Sequence, residues 1–228
     1  MIIIKIDKII VKKIIIINYI MSLTNVESTV KELNYRVLYN LLHLFERRNY
    51  ISDHDKLFSK YKDNIPYNTI IEITSDLPSS NNKPETYQIY LMSAKINSVT
   101  QGSPIENFLT SDIEIKKFLI TIDTTKKVFK QSREQFPNTE VFSQDELLED
   151  IPSKDIIPIH TLIGSTDKET LLKHFKLSDF KKIYEFDLMS RYYGAIPNDI
   201  FRIERYNTTS GKGIDYRVVI PGKYDQMF

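Results

Sequence analysis

Asp112, Glu114 and Lys116 alternate just ahead of an apolar, β-rich run, and they are the residues that come nearest to a reaction centre. Nucleases of the restriction type use an Asp and a Glu-x-Lys on neighbouring strands to hold Mg²⁺ and orient a water. Charges alternating on an exposed strand end give the same pattern without chemistry, and they are far commoner. His43, His54, His160 and His174 are scattered, and no pair has the spacing of a metal or acid-base couple. The chain has no cysteine, which excludes thiol catalysis and thiolate metal sites. Ser210 to Gly213 lacks the first Gly and the closing Ser or Thr of a phosphate loop, and no Gly-x-Ser-x-Gly elbow occurs. No catalytic residue, metal or cofactor is therefore assigned.

Binding chemistry is better represented. Lys126, Lys127, Lys130 and Arg133 form the most concentrated basic stretch, either a solvated helix face or a set of phosphate contacts. Arg205 and Arg217 fall on two runs that read as facing strands. They are either solvated cross-strand positions or forks for a partner's carboxylate or carbonyls. Thr209, Ser210 and Gly211 suit a hairpin loop whose hydroxyls bond nearby backbone, or else a partner contact. Tyr192 and Tyr193 suit one ring packed inward and one left for a partner.

These residues need elements to hold them. The 228 residues, with 31 basic and 30 acidic side chains and 41% apolar content, suit one or two folded domains that need no disulfide or structural metal. Residues 21–150 carry 15 basic against 19 acidic groups, so a domain that lives by neutralising phosphate is excluded. The 34 isoleucines and two alanines point to an A/T-rich gene. Residues 1–20 are apolar, but Lys5, Asp7, Lys8, Lys12 and Lys13 divide them, which disfavours a membrane span and a signal peptide. They read as a leader that is either misassigned or dispensable, an added strand or helix, or a segment that meets a membrane or partner, with Met21 as a second possible start.

Thr24 and Glu27 have capping-box spacing, and Val26 to Leu44 recur at helical intervals, which predicts a long helix ending near Asn49. Ser52 to Tyr61 reads as a shorter one. Thr69–Thr74 and Tyr87–Met92 read as paired strands, Phe118–Ile122 and Val141–Phe142 as further strands, and Ser143 with Glu146 caps a short helix. The order expected to residue 150 is helix, helix, four strands, helix, a mixed sheet with helices against it. Asp150 to Lys154 reads as a linker. Thr166 with Glu169 opens a two-turn helix whose apolar side runs on through Leu177, Phe180 and Ile183. Asp187 caps Leu188–Tyr193, Gly194 closes it, and Ile200–Tyr206 and Ile214–Ile220 form a hairpin.

Residues 187–217, DLMSRYYGAIPNDIFRIERYNTTSGKGIDYR, resemble the assembly module of the fifth subunit of eukaryotic RNA polymerases and of its archaeal counterpart. The correspondence runs through Asp187, Tyr193, Gly194, Arg202, Ile203, Arg205, Thr209, Ser210, Gly211, Tyr216 and Arg217, with Ile157, His160, Leu162 and Ile163 upstream. Shortened stretches at 163–171 and 124–140, with the A/T-rich composition, suit a divergent form from a large DNA virus.

The resemblance implies an α+β protein: a jaw domain at 21–150 with a mixed sheet and flanking helices, then a small helix-and-β-hairpin assembly domain at 155–228. It implies a non-catalytic subunit that docks on the largest polymerase subunit, beside neighbouring small subunits, with the jaw near downstream double-stranded DNA and no membrane contact. Its interface would include Arg191, Tyr193, Gly194, Arg205, Thr209, Ser210, Gly211, Tyr216 and Arg217, and Lys126, Lys127, Lys130 and Arg133 would face DNA phosphates. The setting would be intracellular: host cytoplasm or virion for a viral protein, nucleus for a cellular one. A metal-dependent nuclease and a free-standing interaction module are the rival readings.

Overall fold

The computed structural model describes residues 30–77, 84–207 and 211–222. The chain divides into two units, Met1–Asn34 and Tyr35–Phe228. Of the first, only residues 30–34, the start of a helix, are described. The leader, the Thr24–Glu27 capping box, and Thr209 and Ser210 lie outside the described residues.

Helix α1 (Val30–Arg47) follows the expected periodicity, with Val37, Leu38, Leu41, Leu42, Leu44 and Phe45 wholly buried. It stops where Asn49 takes a left-handed φ of 56°, and helix α2 (His54–Phe58) starts from Asp53, whose side chain accepts from the Lys56 N–H. Strands β1 (Ile70–Thr74), β2 (Thr86–Leu91), β3 (Lys116–Thr121) and β4 (Thr139–Ser143) form one sheet in sequence order. β1 pairs antiparallel with β2, while β2–β3 and β3–β4 are parallel.

Parallel neighbours cannot be joined by a hairpin, so each parallel step carries a crossover helix. These are α3 (Pro104–Thr110) and α4 (Lys126–Gln135). Neither belongs to the element order expected from sequence, although Ser103-Pro104-Ile105-Glu106 combines an N-cap, a Pro in the first turn and a Glu three residues on. Ser103 accepts from the Glu106 N–H at 3.2 Å, and Glu106 accepts in turn from the Gly102 N–H.

With helices on both sides, β2 and β3 bury nearly every residue. Tyr87, Ile89, Phe118, Ile120 and Phe142 meet the core of α1. Tyr90, Leu119 and Val141 meet Phe108 of α3 and Val128 and Phe129 of α4. Helix α5 (Gln144–Leu147) follows directly from the predicted capping box of Ser143 and Glu146.

The remaining elements build a second sheet, in the order β5 (Ile159–Leu162), β7 (Ile200–Asn207), β8 (Gly211–Ile220), β6 (Lys181–Tyr184). The expected hairpin β7–β8 is its centre, with β5 antiparallel to β7 and β6 parallel to β8. Helix α6 (Ser165–Leu172) begins one residue before the predicted cap. The expected continuation of its apolar side through Leu177, Phe180 and Ile183 is corrected: a 3₁₀ turn at Leu177–Asp179 leads into β6. β8 offers Ile183 an open edge beside Val219, and pairing there satisfies the backbone that a longer helix would have satisfied internally. Helix α7 (Leu188–Tyr192) is capped by Asp187 and closed by Gly194 at φ +64°, as predicted. The chain is thus a mixed α and β protein with two mixed sheets and flanking helices. Among the described residues no helix is long and apolar enough to cross a membrane.

Candidate functional site: the motif around α7 and the faces of the second sheet

The motif around α7 is held against the first sheet by charge. Arg48, at the end of α1, is 2% exposed and donates through both Nη atoms to the two Glu140 oxygens, each at 2.7 Å. Its Nε donates to the Tyr192 carbonyl at 3.0 Å, and Nη2 also reaches the Arg191 carbonyl. One guanidinium therefore joins α1, β4 and the last carbonyls of α7, where a helix end favours a cation. Lys116 adds its ammonium to Glu140 at 3.2 Å and to the Tyr50 hydroxyl at 2.6 Å. Burial alone would push the Glu140 carboxyl up, but Arg48 and Lys116 outweigh it and hold it at about 2. A Cβ on Gly194 would lie 3.1 Å from Arg48 Cζ, so this position needs Gly for room as well as for φ.

The neighbouring residues are engaged in the same way. Arg191 pairs with Glu146, donates to the Val141 carbonyl at 2.6 Å, and sits 4.6 Å from the Phe142 ring centroid. Tyr192 is fully buried in the core of α1 and donates to Asp150 Oδ1 at 3.0 Å. Asp150 also accepts from Arg47 at 2.6 Å, which ties down the segment expected as a linker. Tyr193 is half-buried between two cores, with its ring 5.8 Å from Phe201, and burial raises its pKa. Of the two tyrosines, Tyr192 is thus the ring turned fully inward. The arginine and tyrosines of this motif face inward in the structure described, and no local pattern in the sequence marks Arg48, Glu140, Glu146 or Asp150 as their partners.

The strand residues divide between two faces of the second sheet. Arg205 stands opposite Gly213 and Arg217 opposite Phe201, so these arginines are not cross-strand partners and lie about 13 Å apart along the ribbon. Both share the face of Phe201, Ile203 and Val219, the small core of this sheet. Arg217 lies 3.4 Å from Asp215, which Lys181 also approaches at 3.1 Å, while Arg205 is exposed. Tyr216 points the other way, beside Phe180. On that second face Ile159, Glu204 and Ile214 form one row across three strands, with Tyr206 and Lys212 in the next. Ile159, Ile214 and Tyr206 are 53, 50 and 70% exposed around the Arg202–Glu204–Lys212 cluster. Gly211 takes φ +73° with open space around it.

Lys126, Lys127, Lys130 and Arg133 are all exposed on α4, whose other side buries Val128, Phe129 and Ser132. Lys130 lies 3.9 Å from Glu134 and Arg133 3.2 Å from Glu185. The nuclease-like trio is not assembled on strands: β3 begins at Lys116, and Asp112 and Glu114 occupy the preceding turn, Asp112 at φ 29°. Lys116 is itself committed to Glu140 and Tyr50. By contrast His43 and His54, which lack ligand spacing in sequence, stack with centroids 4.5 Å apart because the turn after α1 folds α2 back on it.

The family description "RNA polymerase Rpb5, C-terminal domain" matches residues 149–219, which take in α7 and all of the second sheet but Ile220. The subunit Rpo5 of DNA-directed RNA polymerase from the archaeon Methanocaldococcus jannaschii is 34% identical over 67 residues, 28% of this chain and 86% of that protein. The chain belongs to the subunit 5 family of DNA-directed RNA polymerases. Subunit 5 of Acanthamoeba polyphaga mimivirus is 31% identical over 138 residues, 60% of this chain and 66% of that one. Subunit RPABC1 of RNA polymerases I, II and III from Caenorhabditis elegans is 31% identical over 83 residues, 36% of this chain and 39% of that one. The match thus spans just under two thirds and just under two fifths of these last two relatives' own lengths. In this member of the family, the Asp-Leu-Met-Ser-Arg-Tyr-Tyr-Gly run within the stretch that carried the resemblance is the α7 junction just described.

Proposed function

We propose that this subunit 5 homologue is a structural, non-catalytic component of a multisubunit DNA-directed RNA polymerase of a large DNA virus, acting inside the host cell or virion. Residues 155–228 serve as its assembly domain and dock on the largest subunit beside neighbouring small subunits. Residues 21–150 serve as the jaw. The observation that carries this reading is the family match at 149–219, which coincides with a sheet on one face of which Ile159, Ile214 and Tyr206 leave apolar surface around a charged centre. Such a patch is the composition of a protein contact. The proposed contact extends to Tyr216 on the same face, to Gly211 at the hairpin end and to Arg205 and Arg217 on the opposite face of the ribbon, with Thr209 and Ser210 as further candidates. Tyr193 packs on Phe201 of that sheet, while Arg191 and Gly194 hold α7 to the first sheet and so fix the module's base. The exposed cations of α4 supply a few contacts to downstream DNA phosphates, the bulk of the charge coming from partners.

Tagged protein purified from cells that make the polymerase tests this. Wild type is expected to bring down the largest subunit, with recovery falling at least tenfold for Ile214→Asp and less for Arg217→Ala, at unchanged unfolding temperature. Recovery of the polymerase by Ile214→Asp at the wild-type level would overturn the interface. Absence of any polymerase chain with wild type would favour a free-standing module.

A further inference from the structure

His43 and Glu46 sit one turn apart on α1, and His54 opens α2. One ligand atom from each of the three lies within 4.8 Å of the others. Glu46 Oε2 is 2.6 Å from His54 Nδ1 and 4.0 Å from His43 Nε2, so the two ring nitrogens and a carboxylate oxygen converge on one side of the stacked rings. Ligand atoms around a tetrahedral Zn²⁺, with bonds of about 2.0–2.2 Å, stand about 3.3–3.6 Å apart. The observed spacings bracket that value; closing on one ion takes rotation of the Glu46 carboxylate, a third exposed, and a turn of the two imidazoles out of their 20° stack so that both in-plane lone pairs meet the metal.

The outward nitrogens are also occupied. His43 Nδ1 lies 3.2 Å from Asp150 Oδ2, and His54 Nε2 lies 3.1 Å from the Tyr39 hydroxyl. Asp150 is fixed in turn by Arg47 and Tyr192, and Tyr39 donates to Asp55 at 3.2 Å. A carboxylate or hydroxyl on the far nitrogen fixes the tautomer and turns the other lone pair towards a metal. Ordinary surface histidines have no need of two such anchors. His54 and His43 are 13 and 25% exposed, which leaves an entry path and a fourth position for water.

We propose that His43 Nε2, Glu46 and His54 Nδ1 bind one divalent transition-metal ion of the Zn²⁺ class, pinning α2 to the end of α1. Two imidazoles and one carboxylate suit Zn²⁺ over Mg²⁺ or Ca²⁺, which prefer all-oxygen sites. The proposal is independent of the polymerase reading.

The test uses the full chain, without an affinity tag, stripped with EDTA and titrated with Co²⁺ and then Zn²⁺. One equivalent of Co²⁺ is expected to give the visible bands of a four-coordinate site, and Zn²⁺ is expected to abolish them. His43→Ala and His54→Ala are expected to lose at least a hundredfold in affinity and Asp150→Asn about tenfold, while His174→Ala is unchanged. Zn²⁺ at a hundred times its dissociation constant is expected to raise the wild-type unfolding temperature by about 5–10 °C, a readout that needs no variant. A wild-type chain that takes up less than half an equivalent and shows no thermal shift would overturn the proposal. So would His43→Ala and His54→Ala chains that bind as wild type does.

Discussion

Gly194→Ala is expected to destabilise the protein by about 3 kcal/mol, and the structure separates that figure into two parts. An alanine held at φ +64° costs about 1 kcal/mol or slightly more from clash with its own backbone. The new Cβ would then stand 3.1 Å from Arg48 Cζ and 3.2 Å from Nε and Nη1. The guanidinium cannot retreat, because it is 2% exposed and bound to both Glu140 oxygens and to the Tyr192 carbonyl. Overpacking against a group so fixed adds about 1–3 kcal/mol. Gly211→Ala isolates the first part, since φ there is +73° and nothing lies within 4 Å of the added Cβ. Urea unfolding followed by far-ultraviolet circular dichroism should give Gly211→Ala a loss of about 1 kcal/mol and Gly194→Ala about 2 kcal/mol more, at constant m. In an Arg48→Ala background the excess at Gly194 should vanish, which is the signature of direct coupling. Equal losses for the two glycine variants, or an excess that survives removal of Arg48, would refute the idea that this Tyr-Gly pair is shaped around Arg48.

Two further outcomes follow from buried charge. Glu140, held at about 2 in the folded chain against 4.5 for a free carboxyl, contributes stability that is complete above pH 4.5 and lost as the pH falls towards 2. The difference is about 3 kcal/mol. Unfolding measured from pH 7 to 2 should therefore show wild type and Glu140→Gln converging in acid, and a gap independent of pH would contradict the pairing. Lys117, 1% exposed, donates to the carbonyls of Phe108 at 2.7 Å and Leu109 at 3.1 Å and to Ser111, closing the end of α3. Lys117→Met should cost about 1–3 kcal/mol and speed amide exchange in α3 more than in β3, and unchanged protection of α3 would count against the cap.

Legibility of the chain followed the range of the interactions. Helix α1, the first two strands, the Ser143 capping box, the Asp187–Gly194 helix and the β7–β8 hairpin were readable because a few neighbouring residues specify each of them by periodicity, cap or turn. The motif at 187–217 was readable for the same reason, and it carried the family. Helix α3 was equally local in its Ser-Pro-x-Glu start, although the expected element order left it out. The opposite facing of Tyr216 and Arg217 was also available, since adjacent strand residues must point to opposite faces.

Other features depended on residues distant in the sequence. Arg48, Glu140 and Lys117 have the composition of solvated surface, and each is buried because its partner arrives from another element, 92 residues away for Arg48 and Glu140. His43 and His54 meet only because a turn folds α2 onto α1. The parallel pairing of β2, β3 and β4 likewise depends on α3 and α4 carrying the chain back across one face of the sheet. Local steric and capping preferences act within a turn of chain and so are written in the sequence. Charge pairing, ligand convergence and sheet order come from contacts that exist only once the chain has closed on itself.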